Sequence, residues 1–275
     1  MFRNSLGPLL VAVVLGADKS TPQTPKKYGD AAWSILQTGL HEKNADRRAQ
    51  ATSCLDLLPA EPRALSTAES ALDDPSETVR VAAINALGEM NARASLPKIK
   101  ALAQGTDGKT LVAIAAVLKK FNDPEGNEIY YEILTGSRKA GGGILSGIKD
   151  RKNLERMGIE EAIGFVPFGG VGLGAYYYFR QNASASSAVL ALAALALAND
   201  PDSTSEKALI QASFNDPDPV KVAALRALAK RGNAAVIDEI APGMYSDKPI
   251  VSYTAAAAVL RLSREHTHPA RHRVH

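Results

Sequence analysis

The 275-residue sequence has little of what most active sites are built from. It holds one cysteine, Cys54, so no internal disulfide can form and the fold must stand without one. Histidine is nearly missing from the body of the chain: His41 stands alone until a terminal cluster of His266, His268, His272 and His275. No Ser/His/Asp set is suggested by that distribution. Aromatic residues make up only 5%. Charge of either sign is also in short supply as a signal. The formal net charge is +3, and no dense Lys/Arg stripe appears, which argues against nucleic acid as a partner.

What the chain does have is a repeat. In Asp73 to Gly105, Val79, Ala82, Ala83, Ala86 and Leu87 follow the i, i+3, i+4, i+7, i+8 spacing of one apolar helix face. Asp74-Pro75-Ser76 supplies a polar cap with a proline in the first turn. Gly88 and Asn91 lie near the end of the pattern, where either can stop it. A second apolar set follows at Leu96, Ile99, Leu102 and Ala103. The spacing predicts helix, turn, helix, with an alanine-rich face that lets neighbours approach closely.

The unit recurs. Leu55, Leu87, Leu118, Leu195, Leu228 and Leu260 occupy matching positions at steps of 32, 31, 77, 33 and 32 residues. The best second copy is Asp216-Pro217-Asp218-Pro219-Val220-Lys221-Val222-Ala223-Ala224, running on to Ala227-Leu228. The one long step marks an insertion. Cys54 matches Ala86 of the next unit, which predicts a small buried thiol.

The Asp-Pro…Val-Arg…Ala…Ala-Leu-Gly string from Asp74 to Gly88 resembles HEAT-like repeats, the short kind also found in phycobilisome-lyase-type proteins. The resemblance covers about residues 30–135 and 183–262. It implies an all-α solenoid of about six helix pairs, a surface for binding another protein, and no catalytic residues, because the motif consists of packing and capping positions. Some HEAT-like proteins bind iron through His-Glu pairs on facing helices. Here only His41-Glu42 has that order. The resemblance therefore implies no cofactor and no enzyme, with a lyase-like or metal-dependent activity as the distant alternative.

Taken in order, residues 1–17 read as a signal peptide: a short basic start, an apolar run from Leu6 to Gly16, and the small Ala17 before a cut. That predicts export, to a bacterial periplasm or the extracellular space. Residues 18–27 form a polar, proline-containing linker, and residues 28–135 carry repeats. The last helix before the insertion, Glu125 to Leu134, is expected to pair with a delayed second helix around Ala188 to Leu195. Repeats occupy residues 183–262, and residues 263–275 form a His-rich polar tail.

The insertion at residues 136–182 is the part that repeats do not explain. Its glycines miss the phosphate-loop pattern, because Ile148 stands where the lysine belongs. Glu160 and Glu161 are adjacent acids, which on a helix make a solvated face. Ala162 to Phe179 is uncharged over eighteen residues but carries Pro167 and five glycines, a poor continuous membrane helix. It is expected to pack on the solenoid and to offer Phe165, Phe168, Tyr176, Tyr177, Tyr178 and Phe179 to a protein partner. Membrane contact through this run, as part of a membrane-associated assembly factor, is the competing expectation.

Overall fold

A computed structural model describes residues 24–104, 106, 108–135 and 184–267. Twelve helices lie within them, in the order α1 Thr24–Leu40, α2 Ala45–Ser53, α3 Pro62–Ser70, α4 Glu77–Glu89, α5 Leu96–Leu102 and α6 Gly108–Lys120. Then follow α7 Glu125–Thr135, α8 Ala185–Ala196, α9 Ser203–Asn215, α10 Asp218–Arg231, α11 Ile237–Ile240 and α12 Pro249–Thr267. No strand occurs among the described residues. Helix α1 begins at Thr24, four residues inside the stretch read as linker, and α12 runs to Thr267, into the stretch read as tail.

The repeat unit forms with small corrections at its edges. The N-cap of α4 is Ser76, so Pro75 precedes the cap and does not sit in the first turn. Asp74 works one step further out: its carboxylate accepts the Ser76 N–H at 2.8 Å. The stop is Asn91, whose φ of 55° turns the chain out of the helix. Gly88 has a different task. A Cβ there would lie 2.7 Å from Val117 Cγ2, so it is the absent side chain that lets α6 approach α4.

The pairs α3–α4, α5–α6, α9–α10 and α11–α12 pack as the spacing predicts, α11 acting together with the 3-10 turn Ala241–Tyr245. The order of the array differs from a simple line. The second helices contact one another in the sequence α6, α4, α2, α12, α10, α8. Helix α12 packs along α1 and against α2, so the last repeat lies beside the first. The expected pairing of α7 with α8 is therefore not found. Helix α7 packs on α6, α8 packs on α10, and no comparable contact joins α7 to α8 among the described residues. The physical reason lies in α12. Every residue from Ile250 to Leu260 is buried, which a helix at the free end of a row could not achieve.

Adjacent repeats are braced by charged side chains that reach across the turns. Arg48 donates Nε and Nη2 to the two Asp74 carboxylate oxygens, both at 2.9 Å. Lys98 and the Ser95 hydroxyl both reach Glu69, at 2.7 and 2.6 Å. Lys100 meets Asp123 at 2.6 Å and Glu125 at 3.2 Å. Arg93 stacks on Phe121 and donates to its carbonyl at 3.0 Å. Arg80 donates to the Asp74 and Pro75 carbonyls, and Lys221 lies 3.8 Å from Asp218, so both conserve turn geometry within their repeats.

Two expected outcomes follow from this packing. A Cβ on Gly39 of α1 would meet the buried Tyr253 ring of α12 at 2.5 Å and the Ala51 methyl of α2 at 2.9 Å. Gly39→Ala should cost about 1–3 kcal/mol in denaturant unfolding, and part of that loss should disappear when Tyr253→Leu is added. The acid limb is a separate test. Hydrogen bonding from Arg48 holds the Asp74 carboxyl below the usual range, and Lys98 does the same for Glu69. Depressed acids stabilise the fold above their unfolded pKa of roughly 4, and that contribution is lost as pH falls through the folded value. The urea midpoint should drop between about pH 5 and pH 3, and Asp74→Asn should lower it at pH 7 while flattening that drop.

Candidate functional site

The six aromatic residues expected to meet a partner, Phe165, Phe168, Tyr176, Tyr177, Tyr178 and Phe179, lie outside the described residues. So do residues 1–17 of the expected signal peptide, Glu160-Glu161, and the histidines His268, His272 and His275. What the structure places is the frame on either side of residues 136–183, together with a polar centre where the first and last repeats meet.

That centre is built around Asp56 and Arg226. Asp56 sits in the 3-10 turn Cys54–Leu57 that continues α2, and Arg226 lies on α10, two residues before the repeat leucine. Their side chains are only 5% and 4% exposed and form a direct ion pair. Burial raises the Asp56 carboxyl, with the Arg226 cation opposing that rise. Asp56 Oδ1 and Arg226 Nε have no hydrogen-bond partner among the described residues. Glu89 of α4 and Arg261 of α12 add their charges nearby, so four elements converge on one buried group. Arg261 also donates to the Leu57 carbonyl at 3.3 Å, and Arg264 to the Ala60 carbonyl at 2.8 Å. Arg264 makes an ion pair with Glu61 as well.

Cys54 belongs to the same junction. Its thiol lies 3.5 Å from the Thr254 hydroxyl of α12 and is fully buried, as its match to Ala86 predicts. Burial pushes it up to about 11, with Arg226 opposing, so it remains a thiol at neutral pH and is a poor nucleophile. Asn85 is the neighbouring oddity. It lies one helical turn before Glu89 on α4, is 5% exposed, and neither amide atom has a hydrogen-bond partner among the described residues.

The His41-Glu42 pair is not brought to a metal-like geometry. His41 Nδ1 bonds the Gln37 carbonyl at 2.8 Å, and Glu42 pairs with Arg47 at 3.3 Å. No group of three or more His, Cys, Asp or Glu that could hold a metal occurs among the described residues. An open cleft of about 530 Å³ lies between the ends of α8 and α10 and the start of α9, lined by Asp200, Glu206, Lys230, Arg231 and Asn233. Three of its side chains are already engaged with one another or with the turn: Arg231 donates to the Leu197 and Asp202 carbonyls at 3.0 Å, and Asn233 donates to Glu206 at 2.8 Å. It reads as a turn brace of the same kind as Arg48 and Asp74.

The exposed apolar surface is concentrated at one end of the row. Of the six large apolar side chains that stand exposed among the described residues, three lie on α8: Val189, Leu190 and Leu192. Ala191, Ala194 and Ala198 on the other side of that helix and its following turn are buried. At the opposite end α7 exposes Tyr131 at 68%. Thr135 of α7 and Ser184 before α8 are the two points where residues 136–183 leave and rejoin the described chain.

Sequence reasoning missed the Asp56–Arg226 pair, although a signal was present. Both residues fall inside apolar runs, Cys54 to Leu58 and Val222 to Ala229, where a charge needs a partner. Removing one partner leaves a buried charge. Asp56→Ala should therefore destabilise the protein by about 3–5 kcal/mol in denaturant unfolding, whereas the joint change Asp56→Leu with Arg226→Met should come close to wild type.

No curated protein matches the chain. Residues 30–129 match the family model for HEAT repeats, the span that runs from α1 into α7. With the helix pairs and their packing already in view, that match supports a HEAT-like reading of residues 30–129, and the described array as a whole is an all-α solenoid.

Proposed function

We propose that this chain is a non-enzymatic protein-binding scaffold that is exported and that presents residues 136–182 as its recognition element. HEAT repeats commonly serve as protein-interaction scaffolds. The observation that carries the reading is the placement of the two points between which the segment is tied. Thr135 ends α7 and Ser184 precedes α8, and these helices belong to different neighbours in the array, α6 and α10. The segment is thus tied at two points of a frame whose order is fixed by buried groups, and a fixed frame lowers the ordering cost of binding. Phe165, Phe168 and Tyr176 to Phe179 supply the large side chains suited to a protein interface. Export rests on the apolar run from Leu6 to Gly16 after Arg3, and the buried Cys54 makes no demand on an oxidising compartment.

A second reading has its own observation. From Ala162 to Asn199 the only charge is Arg180, and α8 within that stretch exposes three aliphatic side chains. That favours a membrane-associated assembly factor that touches lipid from its surface. No described helix is long and apolar enough to cross a membrane.

A pull-down from the native organism separates the readings. The mature chain is compared with one in which residues 137–182 are replaced by a short Gly/Ser loop, both first checked for helicity by circular dichroism. Capture of a partner by the intact chain alone is the expected result. Capture of the same partner by both assigns binding to the repeats and contradicts the proposal, and flotation of the intact chain with liposomes would support the membrane reading.

A further inference from the structure

We propose that the uncharged run Ala162–Phe179 docks on the exposed apolar face of α8, and that this intramolecular contact completes the open end of the array. The first support is the face itself. Terminal elements of repeat arrays carry a polar outer side in water, because no further repeat covers them. Helix α8 has none: from Ser184 to Asn199 the chain contains no charged residue, and Val189, Leu190 and Leu192 stand 66%, 48% and 43% exposed. The side bearing Ala191 and Ala194 is already occupied by α10.

The second support is chain length and where the chain rejoins. Phe179 precedes Ser184 by five residues. Five residues reach at most about 17 Å when fully extended. A twelve-residue helix is itself about 18 Å long, so the end of the uncharged run stays within one helix length of the start of α8. Such a tether holds the run at an effective concentration in the millimolar range or above, which a second copy or a separate partner would have to exceed.

The third support is composition. The run has no charge to desolvate and five glycines that permit close approach over the small Ala193 and Ala196. The contact does not depend on the scaffold reading, since the run can cover α8 whether or not its aromatic end also meets a partner.

The test uses the full chain carrying Leu190→Cys, with Cys54 left in place as an unreactive buried thiol. Maleimide labelling of position 190 is timed in this chain and in one whose residues 162–179 are replaced by an equal length of Gly/Ser. Lys207→Cys on α9 serves as an exposed control in both, and circular dichroism confirms that both stay helical. The expected result is labelling at position 190 that is at least about tenfold slower in the natural sequence, at every protein concentration, with no difference at the control. Equal, fast labelling in both chains would overturn the proposal by showing an open face. Protection that rises with protein concentration and survives the replacement would assign the face to a second copy. Protection that appears only with added phosphatidylcholine/phosphatidylglycerol vesicles would assign it to lipid.

Discussion

Helix α12 packs against α1, α2 and α10, and the order in which the repeats stack turns on those contacts. Its small residues make the contact close: Ala255, Ala256, Ala257 and Ala258 are fully buried. Gly39 of α1 leaves room for the Tyr253 ring, and Thr254 meets Cys54. At the end of the helix Arg261 and Arg264 anchor to the carbonyls of Leu57 and Ala60. Because this place beside α2 is taken by the last repeat, the row continues from α2 through α12 and α10 to α8. The two ends of the row are α7, on α6, and α8, and residues 136–183 connect them in the chain.

The Asp56–Arg226 pair fits a role in registry better than a role in bulk stability. Two charges this deeply buried lose most of their hydration, and apolar residues of similar volume usually do as well or better energetically. Arg226 stands on α10 and reaches the end of α2, although α12 lies between those helices in the row. An axial shift of α10 by one turn would strand the cation in an apolar interior. Apolar packing among alanine-rich helices tolerates such sliding, since one alanine surface resembles the next. The ion pair does not tolerate it, and so selects one setting of the C-terminal repeats against the N-terminal ones. The surface braces, Arg48 with Asp74 and Lys100 with Asp123, act more locally, from one repeat to the next.

The helix pairs were legible in the sequence because a helix face writes its spacing directly into the chain. Val79, Ala82, Ala83, Ala86 and Leu87 all prove buried, and so do Val220, Ala223, Ala224, Ala227 and Leu228 of the best second copy. The neighbour of each pair was not legible, because repeats with the same face can stack in more than one order. One feature did point to closure. Ile250 to Leu262 lacks the polar side that the end of a linear array requires, its only polar residues before Arg261 being Ser252, Tyr253 and Thr254. The pairing of buried polar groups was only partly legible. Asp56 and Arg226 stand out in the sequence as charges inside apolar runs, but they lie 170 residues apart, and only the packing order of the helices brings them into contact. The six expected aromatic contact residues fall in the stretch between Thr135 and Ser184, where the repeat pattern offers no register to reason from.

The first and last repeats are adjacent in this order, and a distance across that junction tests the order most directly. Spin labels at Ala60→Cys and Arg264→Cys, with the buried Cys54 thiol left unlabelled, report it by double electron–electron resonance. With the Arg264 guanidinium 2.8 Å from the Ala60 carbonyl in the natural chain, the labels should lie within about 20 Å of each other. A row in simple chain order would set these positions five inter-helix steps apart, roughly 40–50 Å at 8–10 Å per step. A short, narrow distance distribution is what the closed order predicts, and a distribution centred near the longer value would contradict it.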